Sequence, residues 1–110
     1  MIKVSINDNL EEEKFILITI IGITESLLNN TITIFDAEKA IFSPFSVNLL
    51  KEQNIHESII DLVEQGCELE DIESLLPDKL NDTISSIKIE AIKLLTSLKH
   101  GQSVEKWLID

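Results

Sequence analysis

Lys14–Leu28 reads KFILITIIGITESLL, and from Phe15 to Thr24 it carries no charge. Drawn as a helix, the stretch presents apolar side chains on every side. A segment of that kind has no face suited to water and belongs in the middle of a fold. Asp8 stands at capping-box distance from Glu11, and three consecutive acids, Glu11 to Glu13, suit the positive end of a helix dipole. We therefore expect a buried central helix over about residues 10–28, closed by Asn29-Asn30. A buried strand competes, since FILITII is rich in β-branched residues, but length and capping favour helix. Gly22 lies mid-segment with no turn chemistry around it. Its simplest explanation is close approach of another helix, and the long C-terminal helix near Ala91 is the expected neighbour.

The chain around this segment has 110 residues, enough for one domain on a single core, so residues 1–110 are read as one helical domain. The core is aliphatic: 19 Ile and 15 Leu stand against four Phe, one Trp and no Tyr. All nine positive charges are Lys, so Arg, the usual residue for bidentate phosphate or carboxylate recognition, is missing. The net charge of −11 argues against nucleic acid and against anionic membrane surfaces as direct partners. A single Cys excludes an intrachain disulfide framework and fits a reducing compartment. Glu11–Glu13 before the apolar run oppose a signal peptide's basic flank, and the run is about half a membrane span in length. A cytoplasmic protein is the expectation.

Outward from the central helix, Ile2–Ile6 (IKVSI) alternates and suggests a short strand, for which Thr31–Phe35 (TITIF) is the other alternating stretch. Thr33 and Asp36 have capping spacing before a short helix, AEKAIF, that must stop at Ser43 ahead of Pro44. Ser43-Pro44 opens a third helix, with Phe45, Leu49 and Leu50 as its apolar face. Asn54 with Glu57 opens a fourth, in which Ile55, Ile59, Ile60 and Val63 face inward and Gly66 marks the end. GCELEDIESLLP makes a fifth, with Leu69, Ile72, Leu75 and Leu76 inside. From Leu80 the apolar positions Leu80, Ile84, Ile87, Ala91, Leu94 and Leu98 step by fours and threes, a narrow seam suited to packing along another long helix. That helix is expected over about 77–99, ending in Lys99, His100 and Gly101, with one last short amphipathic piece, Ser103–Ile109, carrying Trp107 as a lid on the core. The fold class is thus all-α, a compact multi-helix domain whose central helix packs on the long C-terminal one. Any face of the central helix left uncovered would bury in a homodimer.

Between Lys51 and Lys79 there is no positive residue, while Glu52, Glu57, Asp61, Glu64, Glu68, Glu70, Asp71, Glu73 and Asp78 are acidic. The seven from Glu57 to Glu73 are the candidate partner-binding face, a surface on which charge steers a basic protein. A face that only keeps the protein soluble would look the same. Glu64, Glu68 and Asp71 around Gly66 are the sole candidates for a divalent-ion site, though the calcium-loop pattern is missing and side chains so spaced usually point to water. Cys67 is placed at a helix start, where the dipole favours thiolate and the neighbouring acids oppose it. With His56 and His100 it forms neither zinc spacing nor a Cys–His pair, so no catalytic residue, metal or cofactor is expected. Three functions remain: a non-enzymatic interaction module for a basic partner, such as an immunity or antitoxin protein; a structural or regulatory homo-oligomer; and, less favoured, a divalent-metal-dependent enzyme on Glu64, Glu68 and Asp71.

AEKAIFSP (Ala37–Pro44), the acidic ELEDIESLLP (Glu68–Pro77) and a chain ending some thirty residues later together resemble a family of small acidic bacterial proteins catalogued only as a domain of unknown function. The resemblance covers most of residues 10–95. It implies a bacterial, cytoplasmic origin, and no catalytic or binding residue to carry over.

Overall fold

A computed structural model describes residues 1–98 and 103–110. Helix α1 (Asn9–Leu28) starts where Asp8, in extended conformation, accepts the Glu11 backbone N–H at 3.2 Å. It stops at Asn29-Asn30, with Asn30 at φ 57°, a left-handed conformation that asparagine tolerates. Ile16, Leu17, Ile20 and Leu27 are buried on its inner face beside Thr24, whose hydroxyl donates to the Ile20 carbonyl at 2.8 Å. The expectation of burial on every side is corrected: Ile18 is 45% exposed, and Gly22 and Glu25 face outward. Ile18, Gly22 and Glu25 mark the narrow stripe of this segment that is left open.

Three short connections follow from local chemistry. Thr33 and Asp36 form a reciprocal capping box, which turns Thr31–Phe35 into the entry of α2 (Ile34–Ala40) rather than a strand. α2 ends at Ala40, before the expected Phe42, and the freed Ile41 and Phe42 drop into the core. Ser43 then caps α3 (Pro44–Glu52). Two apolar stripes were available on α3. Val47 and Leu50 are the buried one, against α4, while Phe45 and Leu49 are exposed, contrary to expectation.

Asn54 adopts φ 58° and so cannot act as the extended cap expected of it; His56 caps α4 (Glu57–Cys67) instead, its Nδ1 accepting the Ser58 N–H. Ile55, Ile59, Ile60 and Val63 are buried as expected. Gly66 is the penultimate residue of α4, within one residue of the end expected there, and it is buried, with the ring of Phe42 in the space a Cβ would need. In α5 (Leu69–Leu75) only Leu69 is buried and Ile72 half-buried; Leu75 and Leu76, expected inside, lie in the open because the chain turns away there.

A 3-10 turn (Pro77–Lys79) leads into α6 (Leu80–Ser97). Its seam is as expected, with Ile84, Ile87 and Ala91 buried and Leu80, Leu94 and Leu98 partly so. α6 runs back along α1 in the most extensive helix pairing of the fold, pinned at its edge where Lys88 meets Glu25 at 2.8 Å. The close crossing expected at Gly22 does not occur, since nothing stands within 4 Å of where its Cβ would be. Lys99, His100 and Gly101, expected to end this helix, lie outside the described residues. The N-terminal strand exists with a different partner: β1 (Lys3–Val4) pairs antiparallel with β2 (Leu108–Ile109), Lys3 opposite Ile109. Trp107 is half-buried and meets Phe15 edge-on, ring centroids 5.4 Å apart. Among the described residues no helix is long and apolar enough to cross a membrane.

Candidate docking surface

Burial of Ile59, Ile60, Leu62 and Val63 fixes which side of α4 meets water. Glu57, Asp61, Glu64 and Glu68 occur at intervals of four, three and four, which is one helical stripe, and all four are exposed. The nearest cation is Lys51 on α3, 3.7 Å from Glu64, an exposed pair of small energetic weight. Glu70, Asp71 and Glu73 are exposed on α5. Thus the seven candidate acids all reach solvent, but they are not one cluster. Glu70 and Glu73 turn away from the α4 stripe and line a separate cleft.

That cleft, of about 660 Å³, lies between α2, α5 and the start of α6. Its floor is aliphatic, with Leu27, Ile34 and Ile84 buried and Ile32 and Leu80 half-buried. Phe35 stands at its rim, 66% exposed, with the Lys39 ammonium 5.0 Å from the ring centroid. Lys39 is held in turn by Asp36 at 3.5 Å. Glu38 on α2 and Glu70 on α5 line this cleft together. Partial desolvation, and then the charge of Glu70, push the Glu38 pKa up. Sequence reasoning missed Glu38 and Phe35. Their i, i+3 spacing, which puts them on one face of α2, was the available signal, and the partner across the cleft had none.

The alternative chemistry finds less support. Among the described residues no three His, Cys, Asp or Glu side chains come together to hold a metal ion, so Glu64, Glu68 and Asp71 do not form a site. Cys67 is the last residue of α4, at the negative end of a helix rather than at a start. Burial first, and then Glu64, Glu38 and Glu68, push its thiol pKa up, away from the thiolate that nucleophilic chemistry needs.

Neither the curated proteins nor the solved structures contain a match to this chain. One family model does match, over residues 7–109 of the 110, and by that match the chain belongs to the family described as a protein of unknown function (DUF3969).

Proposed function

We propose that the protein is a non-enzymatic interaction module whose acidic helices hold a basic protein. The observation that supports this reading is the exposed acidic stripe of Glu57, Asp61 and Glu64 on α4 and Glu68 at its C-cap, which among the described residues only Lys51 reaches as an ion pair. Stripes of one sign raise the encounter rate with a partner of the other sign. An immunity or antitoxin role, plugging the basic substrate groove of a nuclease, is one form of such binding. The test is a low-salt pull-down from native lysate with the parent chain and with a variant carrying Gln or Asn at the four α4 positions. A basic protein should be retained by the parent, lost by the variant, and released at roughly 0.5–1 M salt, where screening is severe. Identical catches by both baits, or a partner insensitive to salt, would end the reading.

A second reading rests on the opposite side of the molecule. Ile18 and Gly22 on α1, four apart, share a flank with Glu25, and Ile89 and Ile92 on α6 lie beside and one turn beyond Lys88. The Glu25–Lys88 pair sets those flanks side by side, and all four of these residues are exposed. Two chains of net charge −11 repel one another, so a second copy would approach best here, where Lys88 and Lys93 balance Glu25 and Glu90. Sedimentation equilibrium at high concentration checks it, and a monomer there removes the homodimer.

A further inference from the structure

We propose that the cleft between α2, α5 and α6 receives a lysine or arginine side chain of the basic partner, its stem on the aliphatic floor and its charge between Glu38 and Glu70. This rests on the interaction reading above and locates its specific contact. The floor of Leu27, Ile32, Ile34, Leu80 and Ile84 is apolar, yet Glu38, Glu70 and Glu73 line the same cleft, and among the described residues its lining includes no Lys, Lys39 standing outside on the ring of Phe35. A purely apolar guest would strip water from three carboxylates and return no hydrogen bond. A hydrated metal ion gains nothing from the aliphatic floor. A long cationic side chain satisfies both parts, because Lys and Arg carry methylene stems that lie along apolar surface while the charged head remains polar-bound. Phe35 at the rim offers apolar surface to the stem of the guest, its ring already being engaged by Lys39 at 5.0 Å. Ionised carboxyls sharing one cleft repel, and the Glu38 pKa is raised by desolvation first and by the charge of Glu70 second. A cation set between them removes that repulsion.

The test uses two fluorescein-labelled peptides of equal charge, one alternating Lys with Leu and one alternating Lys with Ser, titrated against the full chain by anisotropy. Four proteins are compared: the parent, E38Q/E70Q, E57Q/D61N on the α4 stripe, and E90Q/D110N as an equal loss of charge elsewhere. All substituted groups are on the surface, and circular dichroism checks that each variant is folded. The Lys/Leu peptide should bind the parent more tightly than the Lys/Ser peptide. Its affinity should fall about five- to tenfold in E38Q/E70Q, as two lost partial-exposure ion pairs imply, and less than about twofold in E90Q/D110N. Equal losses in E38Q/E70Q and E90Q/D110N, or no preference for Leu over Ser, would overturn the cleft assignment. A loss confined to E57Q/D61N would overturn it too, while leaving the acidic stripe as the binding surface. Failure of both peptides to bind even at low salt would instead remove the interaction reading and this one together. Competition of the Lys/Leu peptide by spermidine at equal amine concentration would mean that a free polyamine suffices, and the assignment to a protein side chain would fall.

Discussion

Helix α1 passes Gly22 with its flank open, whereas α4 reaches Gly66 with the ring of Phe42 filling the place of a Cβ. Both glycines have helical backbone, Gly22 in mid-helix, where the residue costs about 1 kcal/mol relative to Ala, and Gly66 in the last turn of α4. At Gly66 something is gained by the missing side chain. The chain leaves α2 at Ala40, and the next residues, Ile41 and Phe42, must be buried before Ser43 starts α3. Phe42, only 1% exposed, places its ring against α4 at the one position that lacks a side chain. At Gly22 no neighbour requires the absence of a side chain. A helix interior glycine is therefore informative only together with what packs on it, and that neighbour can come from a distant part of the chain.

The sharpest way to break the comparison is to remove the ring. Phe42→Ala should lower stability by about 3–5 kcal/mol, the cost of deleting a fully buried aromatic side chain. Chemical denaturation reads it directly, and a loss below about 1 kcal/mol would show that Phe42 is not the residue closing the α2–α3 corner. Gly66→Ala comes next, at roughly 1–3 kcal/mol destabilising, because the ring must shift for the methyl to fit. The double substitution Gly66→Ala with Phe42→Leu sharpens the point. A smaller side chain opposite the new methyl should make the combined loss less than the sum of the two, the signature of residues in direct contact. Strict additivity would deny the contact.

What the sequence made legible was the chemistry acting within a few residues. Asp8, Thr33 and Ser43 cap the helices they were expected to cap, because each cap needs only its own side chain and an N–H three residues on. The α6 seam was legible because its spacing has one solution. On α3, where Phe45, Leu49 and Leu50 were read as the inner face, only Leu50 is buried, together with Val47, because the packing of α4 decided and no local signal carries that. The same holds for Leu75 and Leu76, apolar at helical spacing but placed where the chain turns out. The alternation of Ile2–Ile6 showed β1, but its partner lies at the far end of the chain, where the two residues of β2 are too few for alternation to be read. In the docking surface, the acidic run was plain, but the division into an α4 stripe and a cleft depended on α2 and α5 placing Glu38 and Glu70 along one cleft.

A smaller effect comes from pH, which leaves the Phe42–Gly66 contact alone, neither residue being ionisable, and acts on the surface. The pKa of Glu12 is raised, first by partial burial and then by Glu105, Asp8 and Glu13, and that of Glu38 is raised by desolvation and by Glu70. For an acid whose folded pKa is raised, the folded state holds its proton more tightly, so stability increases as pH falls toward that value. Glu25, hydrogen-bonded by Lys88 and Asn29, and Asp36, held by the Thr33 N–H and hydroxyl, are shifted the other way. Their stabilisation is present above the ordinary values of 4.5 and 3.8 and is lost as pH falls through the lowered ones. Easing of the −11 self-repulsion adds to the first trend. The melting temperature should therefore rise from about pH 7 toward about pH 5 and fall again below about pH 4, as thermal scans across this range would record. Glu12→Gln should flatten the rise and leave the acid fall in place. A monotonic decline from neutral pH would contradict the directions given for Glu12 and Glu38.

The smallest expected change is at Gly22, and it has the opposite sign. With open space around the position, Ala adds helix propensity and meets no atom, so Gly22→Ala should stabilise by up to about 1 kcal/mol. Gly22→Leu should be tolerated within roughly 0.5 kcal/mol of the parent, as surface substitutions usually are. Both are to be measured at two protein concentrations a hundredfold or so apart, because the flank that holds Gly22 is also the one on which a second copy would sit. If Gly22→Leu is neutral at both, α1 is an open helix in solution and its glycine has no packing role. If the parent's midpoint rises with concentration and Gly22→Leu cancels that rise, the glycine admits a helix from another chain, and the two glycines do the same job after all, one within the fold and one between copies. A loss at Gly22→Leu as large as at Gly66→Ala and independent of concentration would be incompatible with the open flank, and the contrast between the two positions would be wrong.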